Sequence, residues 1–474
     1  MRKGNTIVKT TLVCLAGSLL MALGMGRLNA ADPAARVRVQ PQAGDATTAI
    51  QGEIDRAFTA GGGTVVLGKG EWKVKSLRVR SRVTLYLESG ATVRGSRNPE
   101  DYFILDADKV EPVPSALIKH EGWKWADGAT NDAWVRFTGS RWNNGLIRLL
   151  GAEDAAVIGE KGSVIDGCDP YDPLGEEHYR GPHGVSVINC KRLTLKGYTI
   201  RNTGNWAHRI AETSDLLVED VTCEAGHDGV HVRGCDRVVI RNCVMKTGDD
   251  CVAGFGNSDV LVEGCYLNTA CSGFRFAGTG VTIRRCTLKG PAEYGFRGSL
   301  SKQDKIAGAP SGKARRKNML SFFTYFGDYE HPNRPNAGKI EIVDCTSDGT
   351  DRLLHYNFGN EQWQRYKSMT DITFRNVKAT NVKLPIALWG DRKVPVRAVF
   401  KDCDVSFSVP PSEFIRGAYI ESLDLENVKV SGVKGPLLRL WRAEERKPVL
   451  KAEKVVGIAP EITPSTERWN VRGI

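Results

Sequence analysis

Asp228 and the pair Asp249-Asp250 are the residues of this 474-residue chain best suited to chemistry. Asp228 stands in GHDGVHV and the pair in TGDDCVAG, so that Asp249 follows Asp228 by 21 residues. In a chain that repeats with that period, the three carboxylates meet on one flank, roughly 5 Å apart from rung to rung. Clustered acids repel one another, and the repulsion lifts at least one pKa. Two acids with separated pKa values are what glycoside hydrolysis needs: one protonates the leaving oxygen, the other activates water or attacks. Asp-Gly and Gly-Asp-Asp are also turn formers, and three carboxylates also suit a Ca²⁺ ion. Because both motifs fall in register, the catalytic reading is preferred, with no metal or cofactor assigned.

A repeat must hold these acids. The segments Leu193–Ile200, Leu216–Cys223, Val238–Met245, Val260–Leu267 and Val281–Leu288 start 23, 22, 22 and 21 residues apart. Similar segments begin at Ile340, Ile372, Ala398 and Leu423. Each alternates apolar and variable residues, then shows a polar residue or Gly, then Cys, Val or Tyr. Alternation sends one side-chain set inward and the other outward. A fixed period of this length predicts a solenoid with strands in every coil, because a single coil cannot bury its own apolar face. The fold class expected is all-β, in one long domain over 45–455, with insertions near 102–144 and 291–339 and a tail at 456–474. The segment Asp45–Ala60 carries Ile50, Ile54 and Phe58 at helical spacing and predicts an amphipathic helix that seals the open end.

The first insertion holds Trp123, Trp125, Trp134 and Trp142, either a sugar-stacking loop or a local core. The second holds the basic run Gly312–Lys317 and the aromatic run Phe322–Tyr329, a solvated loop or the wall of an anionic groove.

Residues 1–30 have a basic start, the apolar stretch Thr11–Met25 and small residues before Ala31, the pattern of a secretory leader. Residues 31–44 then read as a linker, and the protein as secreted or periplasmic, with no membrane partner. The formal charge is +11, and a leader carrying Arg2, Lys3, Lys9 and Arg27 takes four positive charges away to leave +7. A moderately basic exported protein suits a polyanionic polysaccharide. No nucleic-acid motif is present, and a monomer is expected. Of the twelve cysteines, Cys243, Cys265, Cys286, Cys345 and Cys403 share one column of the repeat with Tyr198, Val221, Val377 and Val428. A column that takes Cys, Val or Tyr alike predicts a buried apolar stack rather than a disulfide ladder.

With these features in place, the chain resembles glycoside hydrolase family 28, the polygalacturonases. The resemblance rests on NTGNWAH (Asn202–His208), the Asp-Gly at Asp228 and GDDC at Gly248–Cys251, within coils running from about Gly44 to Val430. It implies a right-handed parallel β-helix that cleaves pectic glycosidic bonds with inversion. It makes Asp249 the general acid, with Asp228 and Asp250 holding and activating the water. It also implies substrate contacts from Trp206, His227, Ser272, Arg297 and Tyr356. Ser272 stands where the family has a His, and the Lys of the family's substrate clamp is missing beside Arg297. Arg275, 22 residues before Arg297, offers a replacement cation in the same groove. The substrate expected is a pectin-like, otherwise acidic, or rhamnose-containing polysaccharide. A polysaccharide lyase on the same fold and a non-catalytic carbohydrate-binding solenoid are the competing functions.

Overall fold

The computed structural model describes residues 36–102, 124–125, 144–310, 313–327, 329–330, 335–359, 363–364 and 366–466. The leader and nearly all of the tryptophan-rich insertion lie outside the described residues.

The described chain winds into a right-handed parallel β-helix. Almost every strand pairs in parallel with strands one coil before and after it. One face is a 12-stranded sheet; the other two form a 25-stranded sheet, joined where Val252–Glu263 and Ser272–Arg284 each run through both faces. The sequence repeat is the register of one of these faces. Leu193 pairs with Leu216, Leu216 with Val238, Val238 with Val260, and Val260 with Val281. The same row continues through Ile340, Ile372, Ala398 and Leu423.

The recurring polar or Gly position has a backbone cause. Gly197, Asp220, Asn242, Gly264, Asp344, Asn376, Asp402 and Asn427 all have φ between 51° and 82° at the turn that follows this row. Gly, Asn and Asp tolerate that left-handed region best. The amides also stack: Asn376 donates to Asp344 and Asn427 to Asp402, each at 2.7 Å. The next residue in each coil turns inward. Cys243, Cys265, Cys286, Cys345 and Cys403 are buried, and every described cysteine is free, so the column is an apolar stack.

The helix Thr47–Thr59 buries Ile50, Ile54 and Ala57 against the first coils. Its Phe58 stays half-buried under the Arg80 guanidinium, 4.0 Å from the ring centre. Two expected boundaries shift. Within the supposed linker, Arg36–Arg38 adds a parallel strand to Gly63–Leu67. Within the supposed tail, Ile462–Ser465 adds one to Leu438–Trp441. Both ends lengthen the solenoid because an open strand edge is satisfied by another strand.

Candidate active site

The three acids lie on two consecutive turns. Asp228 sits between the strands Thr222–Ala225 and Val230–Arg233, and Asp249-Asp250 between Val244–Thr247 and Val252–Glu263. Val230 pairs with Val252, and the amide of Gly229 donates to the Asp250 carbonyl at 3.0 Å. Asp250 is therefore the rung-mate of Asp228, and Asp249 stands one residue to the side. Two glycines let the turns approach. A Cβ on Gly229 would lie 2.7 Å from the Cys251 carbonyl, and one on Gly248 would lie 2.5 Å from the Gly226 carbonyl. Thr247 and Thr269 both donate their hydroxyls to the Asp249 carbonyl, at 2.6 and 2.5 Å, which fixes the Asp-Asp turn from two coils.

Each carboxylate has its own partner. Asp249 pairs with Arg180 at 3.2 Å, and Asp250 with Arg275 at 3.6 Å. Asp250 also accepts the Ser272 backbone N–H at 2.9 Å. Asp228 Oδ2 lies 2.6 Å from His231 Nδ1. All three acids are covered: Asp228 is 4% exposed, Asp249 9% and Asp250 2%. The cluster on this flank is recessed, with Asp249 at its accessible edge. Burial, reinforced by Asp249 and Asp250, pushes the Asp228 carboxyl well above the usual range. Burial and Asp249 raise Asp250 to about 6, against the opposing pull of Arg275 and Ser272. Both carboxyls therefore bind a proton more tightly than an exposed aspartate does.

Arg180, His231 and Arg233 were not singled out in the sequence. Arg180 comes from the irregular loop after Val164–Asp166, buried among Glu176, Glu177 and Asp249. No period marks it. His231 and Arg233 were legible as a pair: VHVR alternates directly after Asp-Gly, with Val230 and Val232 in the core, so both polar residues point away from it, and the turn brings Asp228 to His231.

The other candidates separate. Ser272 and Arg275 join the cluster. Trp206, 5% exposed, stacks on His231 with ring centres 3.8 Å apart, so it braces the site from within. His227 is fully buried 6.0 Å from the Tyr179 ring, its pKa held well below normal by burial and by Arg180. Tyr356 is turned into the core, where its hydroxyl accepts the Met369 N–H at 3.0 Å. The reason is parity: Thr324 pairs with His355, which takes the outward place and leaves Tyr356 the inward one. Arg297 does not share a column with Arg275. One coil after Arg275 comes Thr324, because residues 290–318 leave the solenoid in an excursion. Arg297 instead pairs with Asp169 and lines a separate cavity of about 230 Å³ with Arg94 and Arg97.

Among the described residues, one cluster of acids and a thiol could hold a metal. Asp249, Asp250 and Cys271 present ligand atoms within 4.8 Å of one another. The set suits Ca²⁺ poorly, since Ca²⁺ takes six to eight oxygens. The Cys271 thiol is pushed up by burial and the two acids, and its sulfur accepts from Arg316 at 3.0 Å.

Comparison with known proteins agrees with this architecture. Residues 183–303 match the family model described as "Right handed beta helix region". The chain has the right-handed β-helix fold and is similar in sequence to polygalacturonases. A polygalacturonase of Saccharomyces cerevisiae is 26% identical over 165 residues, 32% of this chain and 43% of that protein. This chain thus spans less than half the length of that relative. Among solved structures, a hyperthermoactive exopolygalacturonase from Thermotoga maritima superposes with a TM-score of 0.60 at 14% identity, covering 84% of this chain and 92% of that one. A surface adhesin of Streptococcus pneumoniae superposes at 0.56 with 16% identity, covering 86% and 91%. No helix among the described residues is long and apolar enough to cross a membrane.

Proposed function

We propose that this protein is an exported glycoside hydrolase that cleaves a pectin-like or related acidic or rhamnose-containing polysaccharide with inversion. Asp249, at the accessible edge, delivers the proton to the leaving oxygen. Asp228 and Asp250, deeper and rung-mates, hold and activate the attacking water. The observation that carries this reading is the meeting of three carboxylates on two consecutive turns, with Asp249 at the accessible edge and Asp228 and Asp250 deeper. Separated acid and base functions are what cleavage of a glycosidic bond requires. The polygalacturonases that the chain resembles supply the substrate class.

The test is release of reducing ends from a panel of plant and algal polysaccharides. Activity is expected on at least one acidic member. Asp249→Asn should cut kcat by about 10²–10⁴-fold, the usual worth of a general acid. A loss of less than about tenfold overturns the assignment. One observation favours a non-catalytic, glycan-binding solenoid, namely the near-complete burial of Asp228 and Asp250. That alternative predicts binding without product, unchanged in Asp249→Asn.

A further inference from the structure

The cations around the acids are mostly committed. Arg180 is held by Asp249, Glu177 and Asn205. Arg233 donates to His231, Arg316 to Cys271, and Arg297 is paired with Asp169. Arg275 differs. Its one polar contact among the described residues is the 3.6 Å approach to Asp250, too long for a hydrogen bond. Its rung neighbours are Ala253 and Thr324, neither of which carries a charge to pair with it. Two aromatic rings brace the head group instead. The guanidinium carbon lies 4.2 Å from the centre of Phe326 and 5.5 Å from that of Trp363.

Phe326 is buried, edge-on to Phe255 and Trp363. Trp363 is 36% exposed and is the one aromatic among the exposed large hydrophobic side chains of the described residues. It is nonetheless anchored: its carbonyl accepts the Gly327 N–H at 2.9 Å, and the adjoining Gln364 accepts the Asn357 N–H through its side chain at 2.6 Å. An indole fixed in place yet left in solvent, beside a guanidinium with unspent donors, calls for a ligand with an apolar face and an anionic edge. A uronate ring has both. Its C–H face packs on an aromatic ring, and its carboxylate matches the planar fork of arginine.

We infer that Arg275, Phe326 and Trp363 form the receptor for one carboxylate-bearing sugar ring, seated next to the aspartate cluster. Trp363 carries the ring face and Arg275 grips the carboxylate, while Phe326 holds the guanidinium in line. This deepens the hydrolase reading and rests on it for the position of the sugar chain. The receptor, and not the Arg297 region, then decides between an acidic and a neutral or esterified unit.

The experiment uses the full chain carrying Asp249→Asn, so that ligand survives. Trigalacturonate and its fully methyl-esterified form are titrated calorimetrically. The free acid should bind more tightly by roughly 10- to 100-fold, the worth of hydrogen bonds to a charged group. Arg275→Gln should abolish that preference while leaving the ester's affinity unchanged, and Arg275→Lys should restore part of it. Trp363→Ala should weaken both ligands in similar proportion. A preference that survives Arg275→Gln, unchanged affinities in Trp363→Ala, or binding of neither ligand overturns the receptor. Reducing-end release by the unsubstituted protein decides the hydrolase reading separately, so the two failures are distinct.

Discussion

Arg233 donates its Nε hydrogen to Nε2 of His231 at 2.8 Å, and this contact fixes the proton on the other imidazole nitrogen. An arginine always carries that hydrogen. Nε2 must therefore accept, and Nδ1 must hold the proton that it donates to Asp228 Oδ2 at 2.6 Å. Burial and the neighbouring arginines keep the ring neutral, with its pKa well below the ordinary value. Asp228 is thus always offered a donor at Oδ2. Trp206, stacked on the ring, keeps the imidazole in plane.

From this relay we expect His231→Ala to lower kcat by about 10–100-fold with little change in KM, since it removes an orienting hydrogen bond rather than a substrate contact. His231→Asn, which keeps a short side-chain N–H, should recover part of the loss. Equal kcat in the Ala variant and the parent would show that Asp228 needs no orientation.

Asp250 makes the protein's stability depend on pH in a predictable sense. Its carboxyl ordinarily titrates at 3.8 and is raised to about 6 in the fold. The folded state therefore binds the proton more tightly than the unfolded state. The associated stability is complete below the unfolded pKa and is lost as pH rises through about 6. The effect is on the order of 1–3 kcal/mol. Thermal unfolding of the parent and of Asp250→Asn, compared at pH 4 and pH 7, isolates it. The Asn variant should gain stability relative to the parent on going to pH 7; a difference that does not move with pH contradicts the raised titration.

Arg180 should be the costliest single cation to lose. Its side chain is 4% exposed and contacts Glu176, Glu177 and Asp249. Breaking a buried ion pair costs up to about 3–5 kcal/mol, and the solvent that reaches Glu177 (48% exposed) and Glu176 (28%) holds the cost toward the lower end. Arg180→Ala should lower the unfolding midpoint by several degrees and reduce kcat. Arg180→Met, of similar length, should do the same, which separates charge from packing.

These expectations show which parts of the fold and site could be read from sequence. The coil register was legible because the 21–23-residue spacing is uninterrupted from Leu193 to Leu288, so a residue count equals a position in space. Asp228, Asp249 and Asp250 fall in that stretch. Arg297 falls after it, and the count failed because the excursion breaks the winding. Tyr356 was misplaced because the pairing of Thr324 with His355 sets the strand parity after the repeat is interrupted. Arg180 sits on a loop with no period at all. The two lengthened ends escaped notice because the three-residue strand Arg36–Arg38 and the four-residue strand Ile462–Ser465 carry too little alternation to stand out.

Gly248 offers a test of how the excursion is seated. A Cβ at this position would lie 2.3 Å from the Gly295 carbonyl of the excursion, besides its clash with Gly226 on the previous coil. Both obstacles are backbone, so relief requires shifting either the excursion at Gly295 or the turn at Gly226 that leads into Asp228. Gly248→Ala should therefore displace the segment around Gly295 and loosen the Asp249-Asp250 turn together. Overpacking of this kind costs about 1–3 kcal/mol. We expect the variant to stay folded, to lose at least tenfold in kcat, and to be cut by protease within residues 290–318, a segment held to the solenoid by contacts such as Arg297 with Asp169 and Lys305 against Tyr179. Full activity with unchanged proteolysis would mean that the excursion does not rest on this turn.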